Sequence, residues 1–454
     1  MDVDSYRGQL ARLSTELYTG SELAAGSPGD RSEAERIASV AERLLGARAR
    51  ILEVPVAYWR VESVDLDPRP AWAAACPYSR GSAEGPVARV PGDASLPGAW
   101  RGFPRGWIAL VDEPEDPDDV KYAALNAVAA GARALLVRRE APRKIAVNAH
   151  PGFSTRAGGP LEIPVVYVPL DYAPRRASVS VAAGPVESRS YIIEVGSGDY
   201  WVGAHYDRWY TGFTDNIVGI AQAMVLCRML EDSGRSCRLL VFGAEEHGAP
   251  GLASWYWAWG SRFYTRQYKA AGLLDALAYV NFDTATGELV ASGVPSLANL
   301  TGLRLREYEC PECDSVNLAM AGVPTLSIHS LHTRSLLEVY HTPRDVPDEW
   351  RLSTAWEAVE AAWRAFSQGP EWTLLARELD SILGRGPLEA RLLNAIIQKA
   401  ASDRGWPSVW RSIAGVIVDV VHYGDLMTES NSLEMLYAPE AALLGRIRGD
   451  MEAG

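Results

Sequence analysis

Apolar and polar positions change their period several times along the chain, and each change marks a predicted element. From Ser32, apolar residues recur at Ala34, Ile37, Ala38, Ala41, Leu44 and Leu45, the spacing that lines one face of a helix. Ser32 and Glu35, three residues apart, read as a capping box at its start. The run ILEVPVAYW that follows reads as a strand. From about 65 to 110 the pattern dissolves into Pro, Gly, Arg and Ser, which marks a boundary. Periodicity returns in KYAALNAVAAGARALLV, a small-residue helix passing through Gly131 into a buried strand, and in the strand IPVVYVP. From about 187, SYIIEVGSGDYWVGAHYD reads as two apolar strands joined by the turn-forming Gly-Ser-Gly-Asp. Asp215 and Asn216 are placed to cap a helix running to about Glu231 that buries Ile217, Ile220, Ala221 and Met224. CRLLVFGAEE, LAYVNFDTA and VPTLSIHS supply three further buried strands, with a Trp-rich helical stretch after the first. Strands alternating with helices predict an α/β fold: a mostly parallel mixed sheet covered on both faces in three α/β/α layers, binding ligands at its C-terminal strand ends. Beyond about 370 the chain reads as short helices interrupted at Gly384 and Pro387, Gly405 and Pro407, and Pro439.

These texture changes divide the 454 residues into a discontinuous α/β domain (1–62 and 187–368), a compact α/β insert (63–186) and a helical C-terminal region (369–454). Apolar residues at 48% and charged residues at 22% are typical of globular domains. No window reads as a membrane span, so no membrane partner is expected. The N-terminal MDVDSYRGQLARLSTELY lacks the basic and apolar regions of a secretory signal, and a cytoplasmic location is the expectation. The formal charge of −13, without a Lys/Arg-rich run, argues against nucleic acid as partner. Five cysteines are too few for a disulfide framework, and their odd number leaves at least one unpaired within the chain.

The informative feature is where acids and imidazoles fall. His205 and Asp207 end one predicted strand, Glu245 and Glu246 the next and Asp283 a third, and His341 follows in a loop. In a doubly wound sheet such ends converge on one crevice. A lone strand-terminal carboxylate is ordinarily a helix cap or a solvated charge. Taken together, two histidines and several carboxylates with no cysteine nearby in sequence match the nitrogen and oxygen ligation zinc accepts. Adjacent glutamates after LLVFGA would be costly to bury without a compensating cation. Two metals roughly 3.5 to 4 Å apart need a bridging carboxylate, for which Asp215 is the natural candidate. His247 reads as a loop residue, and His150 and His422 as structural or surface histidines.

The segments GAHYD (203–207), TDN (214–216), GAEEHG (243–248), NFD (281–283) and YHT (340–342) resemble the co-catalytic dizinc exopeptidases. That family includes leucyl aminopeptidases, glutamate carboxypeptidase, glutaminyl cyclases and the non-catalytic transferrin receptor. The resemblance covers about residues 1–60 and 187–367; the insert looks like a protease-associated domain, and the tail resembles a helical dimerisation domain, which implies a homodimer. It implies two zinc ions, with cobalt or manganese as substitutes, one on His205 and Asp283, the other on Glu246 and His341, and Asp215 bridging. Asp207 would accept a hydrogen bond from the His205 ring, and Glu245 would act as general base for the attacking water. Tyr308 or Tyr340 would help stabilise the oxyanion. The implied activity is removal of residues from a peptide end, the amino end being favoured. A carboxypeptidase, with Arg304 and Arg306 receiving carboxylates, and a non-catalytic binding module are the alternatives. Cys310 and Cys313 enclose only Pro311 and Glu312, where some members have a tyrosine; the pair reads as a local disulfide or two thiols rather than a zinc site with His329 and His332. Trp255, Trp257 and Trp259 read as core packing.

Overall fold

The computed structural model describes residues 3–103, 105–148, 159–252, 256–270, 276–307, 310, 312–321 and 323–368. The expected helical tail, and with it the basis for a homodimer, lies outside the described residues, as do His150, Trp255, Tyr308 and His422.

Two helices, α1 (Val3–Leu17) and α2 (Asp30–Leu45), precede a long strand β1 (Ala49–Asp67). The expected capping box is not formed: α2 begins at Asp30, Ser32 Oγ donates to the Gly29 carbonyl and Glu35 pairs with Arg31. The insert contributes β2 (Ala74–Ala75), β3 (Gly81–Arg89), β4 (Ile108–Asp112), α3 (Val120–Ala129), β5 (Ala134–Arg139) and β6 (Val165–Pro169). A second long strand, β7 (Arg176–Gly196), leads back to β8 (Tyr200–His205), α4 (Val218–Asp232), β9 (Cys237–Phe242), α5 (Trp259–Ala270) and β10 (Ala278–Phe282). Then come β11 (Val290–Gly293), β12 (Arg304–Glu307), a short helix Ser315–Met320, β13 (Thr325–His329) and a helix Glu349–Gln368.

The strands join in the order β12-β11-β13-β10-β8-β9-β7-β3-β4-β5-β6-β2, with β1 beside β7. β13, β10, β8 and β9 run parallel, whereas β7 is antiparallel to β9 and β11 to β13. β11 and β12 were not expected, because four residues carry too little alternation to register as strands. Apolar runs in the central strands serve both faces. Val202, Ala204, Leu239, Val241 and Val280 pack beneath α1, α2, α4 and Glu349–Gln368, while Trp201, Leu240, Phe242 and Tyr279 pack against Tyr264, Tyr268 and Leu318 on the other side. The three-layer expectation holds.

The insert is joined to the main domain by a continuous strand ladder. β1 and β7 pair from Ala49↔Val195 to Asp67↔Ser178, and the expected borders at 62 and 186 both fall inside this ladder, the first at its one register shift, between Val61 and Ser63. The same sheet continues through β3 into the parallel strands of the insert, where α3 covers Trp107, Ala109, Leu135 and Val137. Against the expectation that no window is apolar enough, Phe213–Asp232 has the length and hydropathy to cross a membrane, but 94% of its most apolar stretch is buried in the core of this domain. Four cysteines pair, Cys227 with Cys237 and Cys310 with Cys313; Cys76 is free and buried in the insert.

Candidate metal centre

Parallel strands with their carboxyl ends aligned deliver the first ligands. β8 terminates at His205, and β10 at Phe282 just before Asp283. β9 ends at Phe242, three residues before Glu245 and Glu246. Asp215 does not cap α4, whose first flanking position is Ile217; it lies in the turn Phe213–Ile217, with its carboxylate aimed at two imidazoles. That turn is pinned from two directions. The Asp345 carboxylate accepts the N–H groups of Thr214 (2.9 Å) and Asp215 (3.1 Å), and Asn216 Nδ2 donates to the Phe282 carbonyl at 2.7 Å. Gly219 permits the approach, since a β-carbon there would fall 2.1 Å from Asn216 Oδ1.

All five expected ligands meet. His205 Nε2 lies 3.1 Å from Asp215 Oδ1 and 3.7 Å from Asp283 Oδ1, while His341 Nε2 lies 3.2 Å from Asp215 Oδ2 and 3.0 Å from Glu246 Oε2. His205, Asp215 and Asp283 thus form one group able to hold a metal ion, and Asp215, Glu246 and His341 a second, sharing Asp215. Both groups are buried. The nitrogen–oxygen contacts are short but misaligned, so neither Nε2, nor Glu246 Oε1, has a hydrogen-bond partner. Unpartnered donors of electron pairs, buried and converging, fit a bound cation and are otherwise costly. Glu245 stands beside the first group, its Oε2 3.9 Å from His205 Nε2.

Charge tells the same story. Burial opposes protonation of His341, yet Glu246 and Asp215 outweigh it and push the imidazole up to about 10. Burial raises Glu246 to about 7 against the pull of His341, and raises Glu245 well above the usual carboxylate range. Asp215 alone moves down, since His205 and His341 overcome its burial. Asp314, fully buried and unflagged by its sequence context, is raised to about 7 by burial, opposed by His205 and reinforced by Asp283 and Asp207. This excess of carboxyl groups over imidazoles calls for positive charge.

Asp207 acts differently from expectation. Its backbone carbonyl, not its carboxylate, accepts from His205 Nδ1 at 3.0 Å; the nearer carboxylate oxygen is 3.8 Å from that nitrogen. The carboxylate instead accepts the N–H groups of Glu245 (3.0 Å) and Glu246 (3.1 Å), fixing the turn that aims both glutamates. A carbonyl can only accept, so Nδ1 of His205 carries a proton and Nε2 is the nitrogen left to face a ligand. His341 is set in the same way by the Lys144 carbonyl, 3.0 Å from its Nδ1.

A cavity of about 260 Å³ opens onto Glu245, Glu246 and His341 between the main domain and the insert. The insert lines it with Asp116, Asp118, Asp119 and Lys121, and the main domain with Trp209, Tyr256, Trp257, Glu312 and Tyr340. Trp257 lines the cavity and also packs, as expected, on the core cluster of Trp59, Tyr78 and Tyr256. Neither Arg304 nor Arg306 lines it; Arg306 donates to the Leu331 carbonyl. His329 bonds Ser292 and His332 bonds Asp116, so with Cys310 and Cys313 joined, no metal site forms among these four. His247 is buried between Tyr78 and Trp209, with neither ring nitrogen partnered.

With this arrangement in view, residues 195–366 match the model of peptidase family M28. That family is the one of co-catalytic zinc exopeptidases, and the match spans the segment that carries all five ligands. No curated protein sequence matches it. Among solved structures, it is similar in fold to BSAP, a zinc aminopeptidase from Bacillus subtilis, at 20% identity and a TM-score of 0.59, covering 81% of this chain and 95% of that one. A peptidase M28 precursor from Shewanella amazonensis (16% identity, 82% and 98% covered, TM-score 0.56) and an aminopeptidase from Aneurinibacillus sp. strain AM-1 (17%, 80% and 94%, 0.52) share the fold. This coverage reaches beyond 195–366, so the M28 domain's fold likeness extends into other parts of the chain.

Proposed function

We propose that the chain is a two-zinc aminopeptidase. The observation that carries the reading is the pair of ligand groups sharing Asp215, with Glu245 placed beside them at the floor of an acid-lined cavity. His205, Asp215 and Asp283 would hold one zinc and Asp215, Glu246 and His341 the other. Bound there, the metals supply Lewis acidity, which lowers the pKa of water and polarises a carbonyl. Glu245 takes the proton of the attacking water on its carboxylate and delivers it to the leaving amine nitrogen. Asp207 holds Glu245 in place through the backbone, and Trp209, Tyr256 and Trp257 shed water from the approach. Tyr340, whose ring stacks on His341, is the hydroxyl we assign to the developing oxyanion.

The amino end is favoured by the cavity's charge. Asp116, Asp118, Asp119 and Glu312 line it against one lysine, Lys121, and no arginine is among the lining residues. Lys121 is itself taken up by Asp118 at 3.3 Å. A free ammonium finds counter-charges here, whereas a terminal carboxylate lacks the bidentate arginine it would need. Hydrolysis of a Leu-led peptide, with zinc and with its N-terminus free or acetylated, tests the assignment by mass spectrometry. Cleavage lost on acetylation is expected; cleavage indifferent to acetylation would overturn the amino-end reading.

A further inference from the structure

One metal ligand is held by a part of the chain outside the M28 domain. His341 exchanges two hydrogen bonds with the backbone of Lys144 in the insert: its Nδ1 donates to the Lys144 carbonyl at 3.0 Å, and its own carbonyl accepts the Lys144 N–H at 3.2 Å. His341 also sits at φ 53°, a left-handed conformation that a residue with a β-carbon keeps only when its surroundings hold it. Next to it, two arginines of the insert reach the end of the short helix Arg334–Leu337. Arg143 Nη2 donates to the Leu337 carbonyl at 2.5 Å and Arg139 Nη2 to the Glu338 carbonyl at 3.3 Å, the last-turn acceptors that a helix leaves open and that cations suit. Both guanidiniums are gathered by one carboxylate, Glu113 just past β4, which lies 2.8 Å from Arg139 Nε and 3.3 Å from Arg143 Nε. The Arg143 side chain is wholly buried, so the contact is built in rather than a chance surface pair.

We propose that the insert is a positioning arm for the metal centre: Glu113, Arg139, Arg143 and the Lys144 backbone fix the place and tautomer of His341, and the metal of the Asp215, Glu246 and His341 group is retained only while this arm is docked. The inference rests on the reading of that group as a metal site. It assigns to Glu113, Arg139 and Arg143 no contact with substrate. The arm works by engaging Nδ1 and aiming Nε2 into the group, the arrangement in which imidazole ligates a metal.

The test is metal content of the full chain by mass spectrometry, together with calorimetric titration of the stripped protein with zinc. Wild type should bind two ions. Arg143→Met should keep its fold by circular dichroism and one ion at the wild-type affinity, while the second weakens by about 10- to 100-fold, the size seen when groups supporting a ligand are removed. Glu113→Gln, which keeps the side-chain shape, should shift the second ion in the same direction by less, and it decides the matter if Arg143→Met fails to fold. Arg80→Ala, at an exposed pair with Glu162 elsewhere on the insert, should leave both ions unchanged. Two ions bound at wild-type affinity in Glu113→Gln and Arg143→Met would overturn the proposal, and so would parallel loss of both ions, which marks a general structural role. Wild type that binds fewer than two ions overturns the metal reading itself, a failure visible before any variant is made.

Discussion

His205 and Asp283 end neighbouring parallel strands whose backbones hydrogen-bond to each other, whereas Glu246 and His341 lie in loops that no strand of the sheet supports directly. The first pair inherits its geometry from the sheet; a strand end in a buried core has nowhere else to go. The second pair depends on tethers, Asp207 beneath Glu246 and the insert behind His341. The two halves of one centre therefore differ in how they fail. Damage to the loop half should release one metal and spare the fold, while damage to the sheet half reaches the core.

Asp215 belongs to both halves, so Asp215→Ala should have the largest effect: bound metal falls from two ions to fewer than one and peptide hydrolysis drops to background. Two ions retained would show that the halves do not share it. Glu245→Gln comes next, with kcat reduced about 10²- to 10⁴-fold, the usual scale for a lost general base. Metal content should stay at two ions, since Glu245 belongs to neither ligand group. Asp207→Asn replaces a double acceptor by a group with a single acceptor oxygen, leaving one of two buried N–H groups unmet, which costs about 1–3 kcal/mol in a thermal or denaturant melt. Its zinc loss should concentrate in the Glu246 half; equal loss from both halves would show that the two fail together. Smallest is Asp119→Asn, which should raise KM for free-amine peptides by roughly two- to five-fold with kcat unchanged, in line with exposed charge pairs.

What the sequence revealed follows the same division. Strand ends are legible because an apolar run that stops at His205, Glu245 or Asp283 states both the element and the residue that leaves it. Asp215 was legible as the candidate bridge and also as a cap; the structure turns its side chain to the imidazoles and leaves α4 uncapped by it. The Ser32 and Glu35 pattern misled because the helix starts earlier, where Asp30 accepts the Gly26 N–H and the Tyr206 hydroxyl. The tethers were invisible for a physical reason. Lys144 contributes a peptide group, which every residue has, and Asp207 acts on N–H groups that carry no side-chain signature. Asp345 and Asp314 showed no motif, as each is defined by what packs around it rather than by its neighbours in the chain. The continuity across the insert's border was hidden for a related cause: Pro, Gly and Ser between 65 and 110 mark a boundary in the sequence, while long-range pairing with β7 carries β1 straight through Asp67.

That β1–β7 ribbon, continuous through the border, is a stiff beam, and the Lys144–His341 clasp anchors its far body a second time. A roof fastened at two points is held more firmly than one hung on a single hinge. The acid-lined cavity therefore lies between two bodies joined twice, so its two walls keep their register with each other.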